Sequence, residues 1–167
     1  MINLKTPLSD EVISKLKVGD MITISGKIYT GRDAVLPRIV KLAGEGRLTE
    51  YGINLQGSVM FHTAVSPAGV GPTSSNKFEI ESSFEILSQE GVKIHLGKGA
   101  ISSGTVQKLD ENNAVFAVIA PVTALLESKT KEKRVIAFPE LGMEALHEIV
   151  VEEYPAIIAA AHNQTVY

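Results

Sequence analysis

The sequence predicts an α/β fold, and three observations carry that expectation. Short apolar runs of strand length, such as residues 21–25 and 114–120, alternate with segments whose apolar residues recur at helical spacing. Glycine, proline or hydroxyl-bearing residues punctuate the joins between them. Hydrophobic residues make up 44% and charged residues 21%, the balance of a chain that can fill a core. No repeat, low-complexity tract or linker divides the 167 residues, so 1–167 is read as a single domain.

In order, residues 1–5 read as a short strand. Ser9 is a good helix N-cap, with Asp10 and Glu11 in the first turn and Val12, Ile13 and Leu16 as the apolar stripe. Gly19-Asp20 turns the chain into a strand over 21–25 that continues past Gly26 to Ile28 and Tyr29. Pro37 is tolerated near a helix start, which places a helix at about 35–43. A strand follows over 58–64, then the segment richest in turn residues, 66–75. Phe78, Ile80, Phe84, Ile86 and Leu87 recur at helical spacing up to Gly91. A strand over 92–96, a helix over about 102–110, a buried strand over 114–120 and a short helix over 122–127 come next. Residues 128–134 are mostly charged and read as exposed. Residues 144–147 read as the start of a helix leading into Ile149-Val150-Val151. Residues 134–138 and 156–161 are further apolar runs.

Composition excludes several functions. A net charge of −3 and a pI near 5.8 argue against nucleic acid and acidic membranes as partners. Aromatics are 5% and Trp is absent, so no stacking platform for bases is evident. The chain has no cysteine, which removes disulfides, thiolate nucleophiles and thiolate metal ligands. The N-terminal residues do not read as a secretory signal, and no apolar run is long enough to span a membrane. A cytoplasmic location is the resulting expectation.

Three loops share a design: Thr30-Gly31-Arg32-Asp33, Gly71-Pro72-Thr73-Ser74-Ser75-Asn76-Lys77 and Gly97-Lys98-Gly99. Each follows an apolar strand, is rich in glycine or hydroxyls, and carries a basic residue. That combination suits anion binding. Helix N-termini expose N–H groups, and glycine permits close backbone approach. Arg32 can clamp a carboxylate with two parallel hydrogen bonds. Thr73 offers a hydroxyl, while Lys77 and Lys98 supply point charges. Such loops on one sheet edge would suit a small dicarboxylate. The plainer reading is that the hydroxyls cap helices, the glycines turn the chain, and Arg32 and Asp33 pair locally. A phosphate loop is a poor match, because Gly99 stands where Ser or Thr would follow Lys98.

His62, His95, His147 and His162 form no zinc-binding spacing. His62 and His95 lie in predicted strands, facing either a site or the core, and a structural role is the simpler reading. Glu140, Glu144, Glu148 and Glu152 recur every fourth residue, which on a helix would give a solvated face or one that meets a partner.

At these loops the chain resembles a known family. Residues 25–34 (Ser-Gly-Lys-Ile-Tyr-Thr-Gly-Arg-Asp-Ala) resemble the signature near the start of the β part of class I fumarases and tartrate dehydratases. Gly71-Pro72-Thr73-Ser74-Ser75 is similar to that family's G-P-T-T/S segment, and Gly97-Lys98-Gly99 to its G-K-G turn. Glu140-Leu141-Gly142-Met143-Glu144-Ala145, followed by Val151-Glu152-Glu153-Tyr154-Pro155-Ala156, is similar to its C-terminal stretch. The resemblance implies a single swivelling β/β/α-type domain. It implies an α-subunit partner whose own cysteines hold a [4Fe–4S] cluster, and a hydro-lyase acting on fumarate, or alternatively tartrate. By the same resemblance, Arg32, Thr73, Lys77 and Lys98 bind substrate, and Thr73 and Lys98 serve catalysis. There are departures: Lys77 stands where the family usually has Arg, Val35-Leu36 where it has Ala-His, and Ser66 where a Gly often precedes Pro67. These leave a non-catalytic anion-binding or assembly module as the rival expectation. Self-association of this chain is left open.

Overall fold

The computed structural model describes residues 1–66, 69–70, 77–119 and 123–166; the side chains of 66, 69–70, 77–81 and 123–125 lie outside that description. The elements follow in chain order: β1 (Ile2–Lys5), α1 (Asp10–Ser14), β2 (Met21–Thr30), α2 (Leu36–Gly44), β3 (Val59–Phe61), β4 (Val65–Ser66), β5 (Gly69–Val70), α3 (Lys77–Gln89), β6 (Ile94–Gly97), α4 (Ser103–Glu111), β7 (Val115–Val118), α5 (Thr123–Ser128), β8 (Thr130–Ala137), β9 (Leu146–Ala161) and β10 (Gln164–Thr165). Two 3₁₀ turns, Leu48–Tyr51 and Pro139–Glu144, join longer elements. The class is α/β, as expected. Ser9 caps α1 by accepting from the Val12 amide at 3.3 Å, and Ser102 caps α4 by accepting from Thr105 at 3.3 Å.

The C-terminal region departs from expectation. No helix starts at 144–147. Gly142 takes a positive φ of 60°, Ala145 is extended, and Leu146 opens the 16-residue strand β9. Alternating burial and the run Ile149-Val150-Val151 favour a strand over the four-residue glutamate period. Glu140 and Glu144 therefore sit on the 3₁₀ turn, and Glu148 and Glu152 on β9, with no shared helix face. The charged stretch 128–134 runs into β8, which pairs only with β9 among the described strands. Its Lys, Glu and Arg residues suit a strand with one unpaired edge.

Strand pairing closes a ring. β2 pairs in parallel with β3, β3 with β6, and β6 with β7; β9 runs antiparallel to both β7 and β2. β9 is long enough to pair with β2 over residues 147–157 on one edge, and with β8 and then β7 on the other. A bulge breaks the β2–β9 register opposite Ser25, where Glu153 adopts a φ of 54° and its amide donates to Ser25 Oγ at 2.9 Å.

The largest apolar cluster contains a residue from every ring strand: Ile24 and Ile28, Phe61, Leu96, Val115, and Tyr154 and Ile158. It fills the interior. The alternate residues face outward. Tyr29 and Met60 pack with α2 through Leu36, Ile39 and Leu42, and Phe116 packs with Phe84 of α3 and Val106 and Leu109 of α4. Each fully buried Leu or Ile of these clusters contributes about 1.5–3 kcal/mol of transfer free energy.

Candidate functional site

Because β2, β3, β6 and β7 are parallel, they all end on one side of the ring. Ligands of parallel sheets characteristically bind beyond the carboxyl ends of the strands. Backbone bonds hold the first residues past those ends in a row. The Gly31 amide donates to Phe61 O at 3.0 Å, His62 to Leu96 O at 3.0 Å, and Ile119 to Gly97 O at 3.1 Å. The Arg32 loop and the Lys98 turn are thereby brought to one edge, with His62 between them.

Gly31 lets α2 come close to the strand end. A Cβ there would lie 3.0 Å from Val35 Cγ1 and 3.1 Å from Leu36 Cδ2. The first amides of α2 do not stay free for an anion, because the Arg32 carbonyl accepts from Val35 at 3.1 Å and from Leu36 at 2.9 Å. The charged donor of this loop is the Arg32 guanidinium. Its side chain is 22% exposed, and Nε lies 3.9 Å from Glu144 Oε1, an ion-pair distance but too long for a hydrogen bond. Arg38, in the first turn of α2, bonds Glu140 at 2.9 Å and lies 5.1 Å from the centre of the Phe138 ring. Those contacts tie α2 to the 3₁₀ turn that carries Glu144.

Lys98 is exposed on the turn after β6, and Gly99 takes a φ of 76° that favours glycine. Lys77 is the first residue of α3. Thr73 lies outside the described residues. Leu36, at the position where the resemblance leads one to expect His, is fully buried in the cluster under α2.

Behind the edge lies an array that the loop spacing does not reveal. His62 Nε2 is 3.1 Å from His95 Nδ1, and His95 Nε2 is 2.9 Å from Ser88 Oγ on α3. Phe84 stacks on His95 at 4.3 Å and leans on His62 at 4.7 Å. His62 is 1% exposed and His95 fully buried. Burial lowers the His62 pKa to about 3, and burial together with the neighbouring His62 holds His95 well below the usual range. Both rings are neutral at pH 7.

Three buried polar atoms at this edge have no hydrogen-bond partner among the described residues: Thr30 Oγ1, Arg32 Nε and His62 Nδ1. Each such atom costs about 1–3 kcal/mol, which a ligand bearing oxygens would offset. Glu144, Thr30 and the Ser88–His95–His62 array were not singled out as site residues from the sequence. His62 and His95 are 33 residues apart, and only the β3–β6 register, Met60 opposite His95, brings them together.

With this geometry in view, the chain belongs to the family described as Fumarase C-terminus, which matches residues 1–166. It is 29% identical to the L(+)-tartrate dehydratase subunit beta of Escherichia coli (strain K12), over 94% of this chain and 81% of that protein. To the putative L(+)-tartrate dehydratase subunit beta of Methanocaldococcus jannaschii it is 27% identical, over 96% and 88%. To the putative fumarate hydratase class I of Geobacillus stearothermophilus it is 26% identical, over 95% of this chain but 32% of that protein. The chain spans about a third of the length of the class I fumarate hydratases it matches.

Proposed function

We propose that this chain is the β component of an iron–sulfur hydro-lyase that reversibly hydrates fumarate to malate together with a separate α subunit, with residues 1–167 acting as one domain. The observation that carries the reading is the placing of the Arg32 and Lys98 loops at the carboxyl edge of the parallel strands, beside buried Thr30 Oγ1 and His62 Nδ1 that make no hydrogen bond among the described residues. A small dicarboxylate offers two anionic ends and several acceptor oxygens to such an edge. Arg32 forks onto one carboxylate, and Lys98 supplies a second positive charge. Lys77, opening α3, is assigned to the same anion, and Thr73 to substrate contact and proton transfer. Fixed cations at the substrate carboxylate stabilise the charge that develops when the adjacent carbon gives up a proton.

The family implies a [4Fe–4S] cluster, and this chain does not fit one. It has no cysteine, and its buried imidazoles His62 and His95 are bonded to each other. No described group of His, Asp and Glu could hold a metal. The proposal assigns the thiolates to the α subunit, where the cluster would supply Lewis-acid chemistry. On this reading the chain is inactive alone.

Tartrate is the alternative substrate within the same class. Two of the relatives carry that name, and they match this chain over 94% and 96% of its residues. A cytoplasmic location goes with either; no described helix is long and apolar enough to cross a membrane.

The test is Arg32→Ala and Lys98→Ala in the reconstituted complex. Each should lower turnover by about 10²–10³, the scale of one lost charge-stabilising donor. Subunit association should persist in both variants. Unchanged turnover would remove these residues from the site and favour a non-catalytic anion-binding module.

A further inference from the structure

The Ser88–His95–His62 array has a direction that its protons decide. In one direction the Ser88 hydroxyl donates to His95 Nε2, and His95 Nδ1–H donates to His62 Nε2. The remaining proton then sits on His62 Nδ1. In the other direction His62 Nε2–H donates to His95 Nδ1, and His95 Nε2–H donates to Ser88 Oγ. The Ser88 proton then needs an acceptor of its own. His95 is the one partner described for Ser88 Oγ, so this second direction strands a buried hydroxyl proton. The first direction uses every proton but one, and that one lies at the strand edge, on the atom that has no partner. His62 occupies the row between Gly31 and Gly97, flanked by the loops of Arg32 and Lys98.

We propose that His62 is a ligand-binding residue of this site, its Nδ1–H donating to an oxygen of the bound dicarboxylate, with His95 and Ser88 as positioning residues that fix its tautomer. The dicarboxylate rests on the hydro-lyase reading; the tautomer does not. A neutral donor adds a directed hydrogen bond without adding a further cation to an edge that already holds Arg32 and Lys98. Burial keeps the imidazoles neutral, so the donor persists across the physiological range. Phe84 stacks on His95 and packs at a tilt against His62, so both rings have an apolar neighbour on one side.

The full chain, with its histidines labelled in nitrogen-15, is examined by two-bond proton–nitrogen correlation spectra. His62 should be the Nδ1–H tautomer, and so should His95. An Nε2–H His62 overturns the proposal. Ser88→Ala should give a mixture of tautomers at His95 and His62; a single unchanged tautomer removes Ser88 from the positioning role. In the assembled complex, calorimetry with succinate, a dicarboxylate that cannot be hydrated, gives the second readout. His62→Asn, which keeps an N–H in nearly the same place, should bind within a few-fold of the parent. His62→Phe should bind about tenfold or more weakly, the scale of one hydrogen bond to a charged group. Equal binding by parent, Asn and Phe forms overturns the contact. A parent complex that ignores succinate while His62 shows the Nδ1–H tautomer overturns the dicarboxylate and with it the hydro-lyase reading, and leaves the donor in place.

Discussion

His62 and His95 spend the folded state as neutral rings inside the protein, and that has a consequence for acid stability. In the unfolded chain a histidine titrates near 6.5, whereas burial lowers His62 to about 3 and His95 well below its usual value. Below the unfolded pKa, the unfolded chain binds protons that the folded chain refuses. Their contribution to stability is therefore complete above about pH 6.5 and falls as pH drops toward 3, with a slope of up to about 1.4 kcal/mol per pH unit for each ring. Urea unfolding at about pH 7 and about pH 5 should show this loss, and His62→Asn should show less of it. Equal pH dependence in parent and variant would contradict the assignment. At this scale the sequence was partly legible. The local strings around Arg32 and Lys98 marked those residues, and the structure sets their loops on one edge. Partners brought together from distant segments, such as His95 for His62 or Glu144 for Arg32, leave no mark in local spacing.

Among the elements, α2 is the most tightly fitted to the site. Gly31 sits between the end of β2 and the first turn of α2, with its amide held by Phe61 O at 3.0 Å. Gly31→Ala would press a methyl group against Val35 and Leu36, both fully buried. Overpacking of this kind costs about 1–3 kcal/mol. The variant should melt several degrees lower, and in the complex it should lose more turnover than its remaining folded fraction explains, because Arg32 moves with the helix. An unchanged melting temperature would show that the helix accommodates the methyl. Elements with strong caps and clear periodicity were legible, as Ser9 with α1 and Ser102 with α4 illustrate. The region after Phe138 was not. Its glutamates recur at helical period, but β9 is fixed by pairing along both of its edges with β2, β7 and β8, an interaction between distant segments that outweighs local pattern.

For the whole molecule, the alternation of strands and helices was enough to give the α/β class, but not the closure of the strands into a ring. Closure depends on the length of β9 and on the bulge at Glu153, and neither is written in a short motif. The ring directs every parallel strand end to one side, and the candidate site follows from that geometry. On the proposed reading this edge supplies cations and hydrogen-bond donors for a dicarboxylate, and the chain has no cysteine to hold a cluster. The most direct measurement is fumarate hydration, with tartrate dehydration in parallel, by this chain alone and by its complex with a cysteine-bearing α subunit assembled without oxygen. Activity confined to the cluster-loaded complex, and lost with Arg32→Ala, is the expected result. A stable, cluster-loaded complex inert toward fumarate, malate and tartrate, or a chain fully active by itself, would contradict it.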